Sequence, residues 1–223
     1  MRLRWPNMLL DYIKSRRGAI GIGTLIIFIA LVLVAAVAAA VIINTAANLQ
    51  HKAARVGEES TRQVASGIQV LKITGYAVNT KNITKLAILV SPNVGDEIDL
   101  SSTIVTISNG DYKASLVYGG QITYVNTNGT RDIFNESWPN IANPTTEFGV
   151  IVLQDADGSM NNTEHPTMNF GDKAIIAINV GDVFGGIMPR ERIYGEVIPE
   201  FGASGIIEFR APSTFSEHVV TLQ

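Results

Sequence analysis

Between Ala19 and Ile43 no charged residue interrupts the chain, and Gly, Ala, Val, Leu and Ile fill nearly every position. As a helix rising about 1.5 Å per residue, these 25 residues span roughly 37 Å, enough to cross the hydrocarbon of a bilayer. The helical period outlasts the apolar run. Ile42, Ala46, Leu49, Ala53, Val56 and Val64 recur at steps of three or four, broken only at Ser60, which is one face of a helix. Arg55, Glu58, Glu59 and Arg62 fall mostly on the other side, and Glu58 to Arg62 is a favourable i,i+4 pair. The pattern predicts one helix over about residues 20–66, apolar all round at first and amphipathic later, with Gly67 as its stop signal.

From Ile68 onward the period changes to two. Strands are expected at Ile83–Val90, Thr103–Ser108, Tyr112–Tyr118, Phe148–Gln154, Lys173–Val180, Arg192–Ile198, Gly205–Phe209 and Val219–Leu222. In the third of these Tyr112, Ala114, Leu116 and Tyr118 share a face, and Asn109-Gly110 just before it is a strong hairpin signal. The polar stretch Asn126–Thr146, with Pro139 and Pro144, predicts a long outer loop. Short strands separated by turn residues, without an intervening long helix, indicate an antiparallel β-sandwich of immunoglobulin-like arrangement. The expected class is therefore α+β, a long apolar N-terminal helix followed by that sandwich.

Charge sharpens the picture at one end. Residues 1–18 hold five basic side chains (Arg2, Arg4, Lys14, Arg16, Arg17) and one acid, Asp11. The net charge of the chain is −3, so residues 19–223 carry −7, which argues against nucleic acid as a partner. A basic flank before an apolar span is the positive-inside pattern, placing residues 1–18 in the cytoplasm and the acidic bulk outside. The chain has no cysteine, which excludes a disulfide framework and thiol chemistry.

Three readings of the N-terminus follow. One is a secretory signal cut near Ala36-Val-Ala38 or Ala38-Ala-Ala40. Another is an uncleaved single-span anchor. The third is a prepilin-type signal, cut on the cytoplasmic side so that the apolar run stays on the mature protein. An ordinary signal core is about 7–15 residues, and cleavage near Ala40 would discard half of a continuous helix. The helix is also rich in small residues (Gly21, Gly23, Ala36, Ala39 and Ala46 among them). Alanine alone is a good helix former, but small residues interrupting Leu, Ile and Val let helix backbones approach closely.

Arg16-Arg17-Gly18 followed by Ala19-Ile-Gly-Ile-Gly-Thr-Leu-Ile-Ile-Phe-Ile-Ala30 resembles the start of the archaellins, the archaeal flagellins. Gly23 stands where bacterial type IV pilins usually carry glutamate. The segment Gly181–Phe215 resembles the C-terminal part of the same family. The resemblance implies residues 1–18 as a signal peptide, residues 19–67 as a filament-core helix and residues 68–223 as an outer β-sandwich. It further implies cleavage between Gly18 and Ala19 by a prepilin-type peptidase that reads Gly18 and the arginines Arg16 and Arg17. Polymerisation would run through Ala19, Gly21, Gly23, Phe28, Ala36, Ala39, Ala46, Leu49, Ala53 and Val56. The implied partners are further copies of the chain or paralogous subunits, the membrane before assembly, and the membrane platform and ATPase motor of the assembly machinery.

Other chemistry is sparse. The three histidines (His51, His165, His218) fit no catalytic or zinc motif, and no nucleophile elbow or phosphate loop occurs. No catalytic residue, cofactor or metal ligand is assigned. Asp155-Ala-Asp-Gly-Ser-Met-Asn161 offers oxygens at alternate positions. It fails the EF-hand pattern, with glycine too early and Pro166 in place of the bidentate glutamate, and reads as an Asp-Gly turn. Four glycosylation sequons begin at Asn82, Asn128, Asn135 and Asn161, all outside the helix. The expected function is a structural archaellum subunit for swimming, on an extracellular cell-surface filament. An adhesive archaeal pilin and a single-span surface-anchored binding module are the alternatives.

Overall fold

The computed structural model describes residues 6–93, 97–125 and 129–223, with side chains from Gly21 onward, Ala65 excepted. The chain divides into two compact units, the first ending at Gly57 and the second running from Glu58 to Gln223. Helix α1, Pro6–Ala65, is 60 residues long, or about 90 Å. It starts well before residue 20. Proline at the first helical position has no amide to leave unpaired, and Met8, Leu9, Leu10 and Lys14 are good helix formers needing no apolar period to propagate. At its other end the Ser66 amide donates to Arg62 O, the last helical bond.

The second unit carries strands β1 (Ile68–Ala77), β2 (Ile83–Pro92), β3 (Ile98–Asp99), β4 (Ile104–Ser108), β5 (Lys113–Tyr124) and β6 (Glu147–Gln154). After these come β7 (Thr167–Met168), β8 (Lys173–Ile178), a short helix α2 (Val180–Phe184), β9 (Arg192–Ile198), β10 (Gly205–Arg210) and β11 (Val219–Thr221). Nine strands form one continuous sheet in the order β10-β9-β4-β5-β6-β8-β2-β1-β11, and β3 pairs separately with β7. The sheet has two walls because β5 is shared. Its first residues pair with β4 (Val105↔Leu116, Ser108↔Lys113) and its later ones with β6 (Val117↔Glu147, Tyr124↔Val152). A register break between Tyr118 and Ile122, where Gly120 takes φ +70°, bends the strand from one wall to the other.

The sandwich-like, mostly antiparallel architecture agrees with the sequence reading, with two differences. The walls are joined through β5, where an immunoglobulin arrangement keeps two separate sheets, and β5–β6 is parallel. Parallel neighbours need a long crossover, and the connection from Val125 to Thr146 supplies it. Tyr112 also leaves the face it was expected to share. It stands in the turn before β5 and is 72% exposed, whereas Leu116 is fully buried.

Ile73, Leu86, Ile88, Leu116, Phe148, Val150, Ile176, Ile193 and Ile207 meet in the core between the walls. The runs Phe148–Val152 of β6 and Ala174–Ile178 of β8 are buried on both faces, because a second apolar cluster covers the outer face of that wall. It consists of Ala87, Phe134, Ile151, Ile175 and Ala177, with Ile133 and Trp138 among the residues beside them. The segment 129–146 is thus a packed flap. By contrast β10, open on one side, alternates strictly between buried and exposed.

The unit begins at a tight neck. Ala203 N donates to Ser66 O, Ile68 N donates to Ala203 O, and the Arg62 guanidinium lies 5.0 Å from the centre of the Phe201 ring. A Cβ on Gly67 would meet Ala203 O at 2.7 Å. Gly202 sits at φ +92°, and a Cβ there would collide with Ser66 O. Gly202→Ala combines a left-handed backbone with a clash, so it is expected to destabilise the β-domain by at least about 2 kcal/mol. Thermal loss of the β-sheet circular-dichroism signal, followed on the full chain in detergent, should fall by roughly 4 °C or more.

Candidate functional site

The largest unexplained feature is the surface of α1. From Gly21 to Val64 its most apolar window has a mean hydropathy of 3.4, and none of that window is buried. Phe28 is 65% exposed, and Leu25, Leu31, Ile42, Leu49 and Val56 lie open as well. Covering each such side chain is worth about 1.5–3 kcal/mol, so a dozen of them dominate every other surface energy here. Two threonine hydroxyls on α1 bond to the helix's own backbone. Thr24 Oγ1 donates to Gly21 O at 2.9 Å and Thr45 Oγ1 to Val41 O at 2.8 Å.

The helix glycines point the same way. A Cβ on Gly21, Gly23 or Gly57 would touch nothing within 4 Å, and none of the three has a positive φ. Gly21 and Gly23 each cost about 1 kcal/mol relative to alanine inside a helix, with no close neighbour that a Cβ would displace. Ala36, Ala39, Ala46 and Ala53 are likewise exposed. Arg16, Arg17, Gly18 and Ala19 lie on the helical backbone of α1, and their side chains fall outside the described residues.

The sequons differ in accessibility. Asn82 Nδ2 donates to Gly185 O at 2.9 Å, and Asn135 Nδ2 donates to Asp132 Oδ2 at 2.6 Å. Ser137, the hydroxyl residue of the Asn135 sequon, is buried and lies 3.0 Å from the hydroxyl of Thr130, which belongs to the Asn128 sequon. Asn128 itself lies outside the described residues. Asn161 and Thr163 are both exposed.

Three carboxylates converge elsewhere. Asp155, Asp157 and Asp172 bring oxygen atoms within 4.8 Å of one another, a spacing suited to a hard, oxygen-loving cation. Each also has an internal role. Asp155 accepts from Gly158 N at 2.8 Å, and Asp157 accepts from Ser159 N at 3.0 Å. Asp172, fully buried, accepts from Asn169 N at 3.0 Å. Hydrogen bonds from Ser159 N and the Asn169 amide hold the Asp157 carboxyl below its usual range. The Asp155 turn was visible in the sequence, but Asp172, seventeen residues further on, was not: only folding of the β7–β8 turn brings it in.

The histidines have structural contacts or lie open. His165 Nδ1 is within 3.1 Å of Asp99 Oδ2 and 2.9 Å of Ser101 Oγ, His218 Nδ1 donates to Ala77 O at 2.8 Å, and His51 is exposed on α1. Lys85 was not singled out by any sequence motif. Its ammonium donates to Phe134 O at 2.5 Å and lies 5.1 Å from the centre of the Trp138 ring, which stacks on Phe134. Burial lowers its pKa from the ordinary lysine value, and Asp132 opposes that shift. Lys85 therefore serves to pin the flap 129–146.

Comparison with known proteins bears on what an uncovered helix of this kind does. The archaeal-type flagellin family model matches residues 18–209. The chain is 54% identical to flagellin B3 of Methanococcus voltae, over 97% of this chain and 100% of that protein. It is 47% identical to flagellin B2 of Methanocaldococcus jannaschii, over 96% and 98%. Among solved structures, the crystal structure of archaeal flagellin FlaB1 from Methanocaldococcus jannaschii superposes with a TM-score of 0.60 at 32% identity, covering 71% of this chain and 98% of that one. The archaeal flagellum of Methanospirillum hungatei shares the fold, with a TM-score of 0.60 at 17% identity over 90% and 98%. The chain belongs to the archaeal-type flagellin family.

Proposed function

We propose that the chain is a structural subunit of the archaellum and that it polymerises through α1. The observation carrying this reading is the surface of α1 from Gly21 to Ile43, apolar on every side, exposed and studded with small residues, in a member of the flagellin family. Lipid covers that surface before assembly and neighbouring copies cover it afterwards. Gly21, Gly23, Ala36, Ala39, Ala46 and Ala53 bring helix axes close, while Phe28, Leu49 and Val56 fill the space between them. The β-domain forms the outer shell of an extracellular filament. The subunit catalyses nothing, and torque comes from a separate ATP-driven motor in the membrane.

Processing between Gly18 and Ala19 frees the apolar helix from its basic leader. The family match beginning at Gly18 supports this position. The scissile bond lies within α1, so cleavage requires local unwinding, which glycine eases by about 1 kcal/mol. N-terminal sequencing of native filaments should read Ala19 as the first residue, and Gly18→Val should leave a membrane-held precursor. A start near Val41 would sink the filament reading.

Ala36→Asp or Ala39→Arg buries an unpaired charge between helices at about 3–5 kcal/mol per subunit. Electron microscopy of cells carrying either variant should show no filaments. Ala36→Phe makes the span more apolar yet forces helices apart, so it should weaken assembly too. A plain membrane anchor would tolerate that substitution, and normal filaments from it would refute close packing.

The sequon geometry predicts an order of modification. Asn161 offers its amide and its hydroxyl partner Thr163 on the folded surface, whereas Asn82 and Asn135 have their amides engaged. Glycopeptide mass spectrometry of native filaments should find Asn161 the most fully occupied of these three. Occupancy of Asn135 with Asn161 bare would contradict the ranking.

A further inference from the structure

The flap carries the hydroxyl residues of two sequons, and docking it on the sheet withdraws both at once. An Asn-X-Ser/Thr sequence is an acceptor through two groups, the asparagine amide and the hydroxyl two residues on, so both must be offered together. Thr130, of the Asn128 sequon, and Ser137, of the Asn135 sequon, share a hydrogen bond at 3.0 Å. Ser137 is only 5% exposed. The Asn135 side chain stays at the surface, where its amide donates to Asp132 Oδ2 at 2.6 Å. In the docked flap, then, Asn135 faces solvent and its hydroxyl partner does not. An enzyme that has to engage both cannot use this conformation.

Docking depends on residues that come later in the chain. Trp138 Nε1 donates to Asn179 Oδ1 at 2.8 Å, across 41 residues. Pro139 lies so close to Gly149 of β6 that a Cβ there would collide with the proline ring. Phe134 clusters with Ile175 and Ala177 of β8, while Lys85, which donates to Phe134 O, sits on β2, the strand beyond β8. The flap therefore has no complete seat until β8 joins β2 to β6. Contacts of such sequence separation form late, because closing long loops costs entropy that local turns avoid. Until then both sequons are open acceptors. A glycan already attached does not prevent docking, since the Asn135 side chain stands outside the docked flap and only its bond to Asp132 is lost.

We infer that flap docking is a gate on glycosylation: transfer to Asn128 and Asn135 occurs before the flap docks and stops once it has. The inference rests on the exported, modified subunit proposed above and adds how two of its sites are regulated. In the transfer, a bond forms between the asparagine Nδ2 and the anomeric carbon of a glycan activated as a lipid-linked phosphate. The bond from that carbon to the phosphate oxygen breaks, the phosphate leaves with the electron pair, and the amide nitrogen gives up one proton. The test uses Lys85→Met and Asn179→Ala, which loosen the flap without changing a residue of either sequon. Glycopeptides of the full chain recovered from cells are quantified by mass spectrometry. In each variant, occupancy at Asn128 and Asn135 should rise together, several-fold relative to Asn161 in the same molecules. Unchanged occupancy in both variants overturns the gate, as does a rise at one of the two sites without the other. Full occupancy of either site in the wild-type chain also overturns it, because docking then competes with nothing. A rise at Asn82 as large as that at Asn135 in the Asn179→Ala chain places the effect in the whole domain and overturns the flap as its cause. A wild-type chain bare at every sequon would overturn the modification itself.

Discussion

The structure depends on one requirement, that the apolar surface of α1 be covered by something outside the chain. Folding normally removes such a surface by packing it against the rest of the molecule. Here the most apolar window has none of its residues buried, and the hydroxyls of Thr24 and Thr45 are satisfied within the helix itself. A backbone that closes all its own hydrogen bonds is the condition for life in lipid, and α1 meets it. Lipid and a bundle of identical helices both provide an apolar surrounding. Passing from one to the other therefore exchanges apolar contacts for apolar contacts. Close packing must tip that exchange, which gives the unreturned cost of Gly21 and Gly23 its physical explanation.

The β-domain answers a different problem, which is to keep its own shape in water without disulfides. It does so by burying one wall on both faces. Phe148, Val150 and Ile176 face the core between the walls, while Ile151, Ile175 and Ala177 face the flap held down by Phe134, Trp138 and Lys85. The sheet's two ends are also drawn together. Gln223 Oε1 accepts from Glu208 N on β10, while the backbone of Gln223 bonds to Ile73 on β1. The Glu208 amide on the outer edge of β10 is thereby occupied.

The sequence made the helix, most strands and the hairpin legible, because each rests on local period or turn chemistry. What it hid was non-local. Strand β1 escaped because a bulge around Leu71 breaks its alternation. The later half of β5 lies beyond Gly119-Gly120, which reads as an end and is in fact a bend. The flap looked like a polar loop, since Ile133, Phe134, Trp138 and Ile141 follow no period and reveal their apolar side only against the sheet. Parallel pairing of β5 with β6 and the approach of Asp172 to Asp155 have no local signal at all. The small residues of α1 were visible from the start, because they belong to the local pattern of the helix.

Apolar burial alone would make a poor filament. It scales with area and is nearly indifferent to register, so helices that are greasy on every side can slide and rotate past one another at little cost. Steric detail supplies what area cannot. In the filament proposed, a notch at Ala36 or Ala39 would accept a neighbour's side chain at one offset and reject it a turn away, much as small residues fix crossings between membrane helices. Area would then set whether the helices cohere, and the small-residue notches would set the register at which they do.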